Sequence, residues 1–297
     1  MKHSFYLTLL GITIISANCS TGKNLLQDIH ILHMNSAHTA FPDTARAKGH
    51  MYDSVLYEEA SHYSDSSVLL AAPRQLQADS TVDLVFWFHG WRNTIDSAAE
   101  HFKLLEQFSQ SKRNAVLVLA ETARNAPDSY GGKLEQPGMF ALLVKDILDE
   151  LKKDSSIPYN CKPGNIVLAG HSGAYRVIAK IIQQGGLPVK EAELFDALYG
   201  EIPIYFNWLK QDSTNRFIHW YTSFGGGTAE GTAELQQQLD AQHTPYAKAE
   251  EDVLEKNALL QNRILFIHSK HKHNEVINNP DNFQLLLQSS PSLQKIN

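Results

Sequence analysis

Cysteine is nearly absent from this chain of 297 residues, with only Cys19 and Cys161 present. If Cys19 is lipidated or removed with the N-terminal segment, no internal disulfide can form, and packing alone must hold the fold. Cys161 has no adjacent acid or base in sequence to lower its pKa, so it reads as an inert thiol near the start of a strand. Positive charge is also scarce: 26 Lys and Arg stand against 32 Asp and Glu, a net charge of -6. No basic cluster falls on any predicted helix, which argues against nucleic acid as a partner. Long apolar runs are missing too. The run from Phe5 to Ile15 is well short of the roughly 20 residues that cross a bilayer. No internal repeat is visible. What remains is ordinary globular makeup, 43% hydrophobic and 20% charged, enough for one large core.

The N-terminus reads as an export signal. Lys2 and His3 form a basic head, Phe5 to Ile15 an apolar segment, and Ser16-Ala17-Asn18-Cys19-Ser20 follows. Small residues before a cysteine in this setting resemble a bacterial lipoprotein signal. The resemblance implies that residues 1–18 are removed and that Cys19, lipidated, anchors the chain to a membrane of the cell envelope, since more than one acyl chain gives stable anchoring. Asn18 departs from the residue usual before that cysteine, so a secreted or periplasmic soluble form stays open. Residues 19–50 are polar and without sustained periodicity, and read as a tether and irregular lead-in. His30, His33 and His38 lie there, but no cysteine or carboxylate at useful spacing completes a ligand set, so no metal is expected.

From Met51 the pattern changes. A strand-rich stretch ends in Ser67 to Pro73, after which strands alternate with helices. Val82 to Phe88, Ala115 to Ala120, Asn165 to Ala169, Glu193 to Leu198, Phe217 to Tyr221 and Ile264 to His268 are mostly continuous apolar runs, as strands buried on both faces are. Between them, Ala98, Phe102, Leu105 and Phe108 mark one amphipathic helix, and Phe140, Leu143, Val144, Ile147 and Leu151 another. The alternation predicts a mostly parallel central sheet with helices on both faces over residues 51–290, with function at the carboxyl ends of its strands. Residues 225–261, polar and rich in Gln, Glu and Ala, interrupt the rhythm and read as a possible lid or a peripheral helical insertion.

Gly170-His171-Ser172-Gly173-Ala174 sits between one of these strands and a helix whose Ala174, Val177, Ile178 and Ile181 share a face. A serine hydroxyl is a poor nucleophile and must be held clear of its neighbours, with a base and two backbone donors aimed at it. Small residues around Ser172 permit that. The stretch resembles the nucleophile elbow of the α/β-hydrolase superfamily, ending on Ala174 where glycine is common. A second resemblance lies at the end of Val82 to Phe88, which runs into His89-Gly90-Trp91. In that superfamily the residue after the His-Gly pair supplies half of the oxyanion hole, which implies the backbone amides of Trp91 and Gly173 here.

The resemblance also implies an acid and then a histidine after the serine. Asp196 is embedded in the apolar run Leu194 to Leu198, where an unpartnered carboxylate would be costly. The commoner position for the acid, after the following strand, reads Tyr221 to Gly225 without a carboxylate, so Asp196 is expected to serve and Glu230 is the fallback. His268, His271 and His273 follow the last strand; His273 is the expected base and His271 the alternative. The loop from Glu121 to Gln136 follows a central strand and is expected to border the same pocket. Together these imply an exported serine hydrolase that cleaves a carboxylic ester without cofactor or metal. Its alternatives are an amidase or peptidase with the same triad, a non-catalytic envelope lipoprotein that binds a ligand, and a metal hydrolase built on the histidine loop.

Overall fold

The computed structural model describes residues 25–224 and 226–296, so the segment read as an export signal, Cys19 and Gly225 lie outside the described residues. In chain order the strands are β1 (Ile29–Asn35), β2 (His50–Tyr52), β3 (Val55–Tyr57), β4 (Ser67–Pro73), β5 (Thr81–Phe88), β6 (Ala115–Ala120), β7 (Lys162–His171), β8 (Glu191–Phe195), β9 (Arg216–Thr222), β10 (Ala247–Glu250) and β11 (Ile264–Ser269). The helices are α1 (Glu59–His62), α2 (Ile95–His101), α3 (Leu104–Ser111), α4 (Met139–Lys153), α5 (Tyr175–Gln184), α6 (Ile202–Gln211), α7 (Thr228–Ala241), α8 (Lys256–Gln261) and α9 (Asn282–Ser289).

One 9-stranded sheet runs in the order β1-β4-β6-β5-β7-β8-β9-β11-β10, while β2 and β3 form a separate antiparallel hairpin. Strand β4 is antiparallel to both β1 and β6. Every other pairing in the sheet, from β5–β6 to β10–β11, is parallel. The predicted mostly parallel sheet is therefore present, and its strands alternate as strands must. On β5, Val82, Leu84, Phe86 and Phe88 enter the core on one face with α4, α5, α6 and α7. Val85 and Trp87 enter the core on the other, with α2, α3, α8 and α9. Two buried faces explain why these strands read as unbroken apolar runs.

Two expectations need correction. The segment read as an irregular lead-in carries β1, paired residue for residue with β4 from Ile29–Pro73 to Asn35–Ser67. An edge strand has one ladder and one exposed flank, so His30, His33 and Asn35 are tolerated in it and hide the strand signal. The single helix predicted across Ala98 to Phe108 is two, α2 and α3, parted at Lys103, whose φ of 51° is left-handed. In the described part of the 225–261 segment two elements join the fold. Its α7 packs on α6 and β9, and its β10 extends the sheet by pairing with β11. Two of the three lead-in histidines pair with surface carboxylates, His30 with Asp154 and His38 with Asp146.

Candidate active site

Strand β7 delivers Ser172 at its carboxyl end, where the chain turns into a short 3-10 segment, Ser172–Ala174, and then α5. Ser172 has a φ of 56°, a left-handed conformation rare outside glycine. The strain thus sits on the serine itself and not on Gly170, whose task is contact. A methyl group on Gly170 would stand 2.7 Å from the Ala174 Cβ and 2.8 Å from the Ile178 Cδ1, so the missing side chain lets α5 lie against β7.

From β5 comes the His89-Gly90-Trp91 turn. Gly90 lies so close to the elbow that an added methyl would be 2.6 Å from the Ser172 Cβ and 3.2 Å from its Oγ. Gly173 abuts the Trp91 indole and the Ser129 hydroxyl in the same way, at 2.6 Å and 2.8 Å. The Trp91 indole N–H donates to the Ser129 Oγ at 2.8 Å. The Glu121 to Gln136 loop therefore reaches the site through Ser129. Beneath the turn, His89 is buried; its Nδ1 lies 2.7 Å from the Gly90 carbonyl and its Nε2 2.5 Å from Glu121 Oε1. Both ring nitrogens face an acceptor, which calls for the imidazolium. Burial works against that charge, but Glu121 outweighs it and raises the His89 pKa. Because His89 holds the Gly90 carbonyl, the trans peptide turns the Trp91 N–H the opposite way.

Asp196 follows β8 at once, fully buried, with a φ of 44°. Its Oδ2 is 2.5 Å from His273 Nδ1. Its Oδ1 accepts from the Thr222 backbone N–H at 3.2 Å and from the Thr228 hydroxyl. Burial alone would raise the carboxyl pKa, but hydrogen bonds from His273 and Thr228 outweigh it and hold the group below its ordinary value. The acid thus has partners on both oxygens, one of them the loop histidine after β11. Glu230, by contrast, is exposed on α7, and His271 pairs with Asn279 and lies 3.8 Å from Glu251.

His273 is held from beneath by His171. The buried His171 ring donates from Nε2 to the His273 carbonyl at 2.9 Å and lies under its ring, with centroids 4.4 Å apart. Burial and the neighbouring His273 push the His171 pKa down to about 3, so it is a neutral support. Ser172, His171 and His273 share a cleft of about 620 Å³ with Gly90 and Trp91. The Ser172 hydroxyl also meets that of Tyr199, whose ring stands edge-on to His273 with centroids 6.4 Å apart and whose pKa burial and Asp196 raise, keeping it a donor. Tyr199, Thr228, His171 and Glu121 are site residues that sequence reading did not single out. Tyr199 lies three residues past the acid on the same loop, a place worth searching, whereas Thr228 arrives from a distant helix and leaves no local signal.

The cluster supplies a constrained serine hydroxyl, an oriented imidazole and a buried carboxylate. Among the described residues no group of three or more His, Cys, Asp or Glu is placed to hold a metal ion.

No protein-family model matches the sequence, and no curated protein does. Solved structures do resemble the fold. A ferulic acid esterase superposes with a TM-score of 0.56 at 10% identity, covering 90% of this chain and 99% of its own. A mutant of the feruloyl esterase module from Clostridium thermocellum, complexed with sinapinate, superposes at 0.51 with 8% identity and 91% of each chain covered. Sheet order, the single antiparallel strand inside the edge and these superpositions agree that the chain has the α/β-hydrolase fold.

Proposed function

We propose that the protein is a serine hydrolase that cleaves carboxylic esters through Ser172, His273 and Asp196. The observation that carries this reading is the 2.5 Å bond between Asp196 and His273 in the same cleft as a serine on a left-handed turn. With Asp196 accepting from Nδ1–H, the His273 Nε2 is left unprotonated and able to act as a base. Ser172 turns from Tyr199 toward His273, gives up its proton to Nε2, and its Oγ attacks the ester carbonyl carbon. The oxyanion is received by the amides of Trp91 and Gly173, whose worth is greatest in a cleft that excludes water. Collapse expels the alcohol, which takes the proton from His273, and leaves the acyl group on Ser172. Water, deprotonated by His273, then releases the acid and restores the serine. No cofactor enters this sequence.

Of the two fold neighbours described above, one is a ferulic acid esterase and the other a feruloyl esterase module complexed with sinapinate, so methyl ferulate and methyl sinapinate belong in the first substrate panel beside simple acyl esters. Labelling by a fluorophosphonate probe, lost in Ser172→Ala and accompanied by loss of ester turnover, is the expected result. A well-folded wild type that neither labels nor turns over any ester overturns the reading. We further propose that the chain is exported and lipid-anchored at the envelope through Cys19; radiolabelled palmitate incorporated by wild type and not by Cys19→Ser is the expected outcome.

A further inference from the structure

One wall of the catalytic cleft is cationic, although the chain as a whole carries a net charge of -6. Arg92, Asn93, His101 and Asn274 line it beside Ser172 and His273, and no Asp or Glu does. Arg92 stands apart from every other arginine of the chain. The guanidinium groups of Arg46, Arg124, Arg176 and Arg216 bond carboxylates, and those of Arg74, Arg113 and Arg263 bond backbone carbonyls. That of Arg92 has no partner among the described residues, is exposed, and opens onto the cleft. Its backbone is also in the left-handed region, with a φ of 56°, where glycine would fit without cost. The turn is held there by two bonds to the neighbouring loop. The Arg92 N–H donates to the Ala126 carbonyl at 2.9 Å, and the Asn125 N–H to the Asn93 carbonyl at 2.8 Å. A long cation is thus carried on a strained, fixed turn one residue after the Trp91 amide, with no structural bond to make.

We propose that the cleft takes esters bearing a carboxylate close to the scissile bond, and that Arg92 is the residue that selects them. This rests on the serine esterase reading above. Arg92 offers a planar pair of N–H donors suited to a carboxylate, and Asn93 and Asn274 supply neutral amides beside it. The unpaired guanidinium then receives in the complex the anion that the fold withholds.

The test compares near-isosteric ester pairs that differ in charge. 4-Acetoxybenzoate against 4-acetoxybenzamide places the charge on the alcohol side; the 4-nitrophenyl half-ester of glutaric acid against 4-nitrophenyl pentanoate places it on the acyl side. In one pair the anion is expected to be favoured by roughly 10-fold or more in kcat/KM, the worth of a charge-assisted hydrogen bond. Arg92→Gln is expected to erase that preference while leaving the neutral ester within about twofold, and added salt to weaken it in wild type. Equal or better turnover of the neutral member in both pairs, or a preference that survives Arg92→Gln, overturns the proposal while the esterase reading stands. Should no ester be cleaved, calorimetric binding of two amides, 4-acetamidobenzoate and the monoanilide of glutaric acid, which carry the charge on either side, decides separately. Equal affinity of wild type and Arg92→Gln for each of them overturns the anion site whatever the state of the serine.

Discussion

Asp196→Asn gives the sharpest test of the catalytic assignment, because the carboxylate's surroundings dictate how an amide must sit. Its Oδ1 accepts from two donors, the Thr222 backbone N–H and the Thr228 hydroxyl. In the variant the amide oxygen must stay on that side, since an NH2 group turned there would leave the Thr222 backbone N–H without an acceptor in a fully buried pocket, even if the Thr228 hydroxyl turned to accept. The NH2 therefore faces His273 Nδ1, which can only accept, and the ring proton moves to Nε2. The nitrogen that should take the serine proton is then already protonated. A base held in the wrong tautomer costs about 10⁴-fold in kcat, about 5 kcal/mol of barrier. Size and shape barely change, so the variant should fold and bind ester with a KM close to wild type. Steady-state kinetics on the best ester, with fluorophosphonate labelling rates alongside, read the effect. A kcat within tenfold of wild type would refute the pairing of Asp196 with the catalytic base and send the search back to His271 and Glu230.

Four further outcomes follow from the same geometry. Gly90→Ala puts a methyl 2.6 Å from the Ser172 Cβ; a displaced nucleophile should lower kcat by about 100-fold, measured beside an unchanged far-ultraviolet dichroism spectrum. His171→Ala removes both the donor and the ring beneath His273, and should lower kcat by about 10- to 100-fold with a smaller effect on KM; unaltered kcat would mean that His273 is held by Asp196 alone. Thr228→Val removes a hydrogen bond that keeps the Asp196 pKa depressed. A depressed carboxylate stabilises above its unfolded pKa and loses that contribution as pH falls through its folded pKa. The variant should therefore be about 1–2 kcal/mol less stable in urea at neutral pH, and the gap should close in acid. Glu193 shows the opposite sign: burial and neighbouring Glu191 raise its pKa to about 8 from 4.5. Its folded form binds a proton that the unfolded form has released, so stability declines across that interval. Glu193→Gln should match wild type near pH 4.5 and exceed its melting temperature increasingly up to about pH 8; equal melting temperatures at pH 8 would refute this.

The sequence made the parallel half of the sheet legible because strands such as Ala115 to Ala120 are buried on both faces and admit almost nothing polar. Strand β1 was hidden for the converse reason: only Ile29 of its residues is fully buried, and its register is set by β4, a partner far along the chain. At the site, Ser172, Asp196 and His273 stand out because each breaks a local rule: a serine in a small-residue turn, an acid in an apolar run, a histidine in a polar loop. Residues that hold them, such as Thr228 and Glu121, break no local rule. A threonine opening a helix and a glutamate ending a strand are common, and only the fold brings them to Asp196 and His89. The helix break at Lys103 is likewise a tertiary matter, as α3 turns away to pack on α9.

Asp196 stands at the end of β8, yet β9 and α7 brace it, through the Thr222 N–H and the Thr228 hydroxyl. These two anchors bound a surface connection that carries no acid, base or oxyanion donor of its own. Such a connection can lengthen or change composition between generations without disturbing the Asp196–His273 pair, provided that its two ends stay fixed. Phe224 is 62% exposed within it, and Gly226 lies so close to Tyr199 that an added methyl would be 2.6 Å from its hydroxyl. If Asp196 is the acid proposed here, its place one strand early leaves this connection open to divergence, and grafting loops between Thr222 and Thr228 tests whether it shapes ester preference.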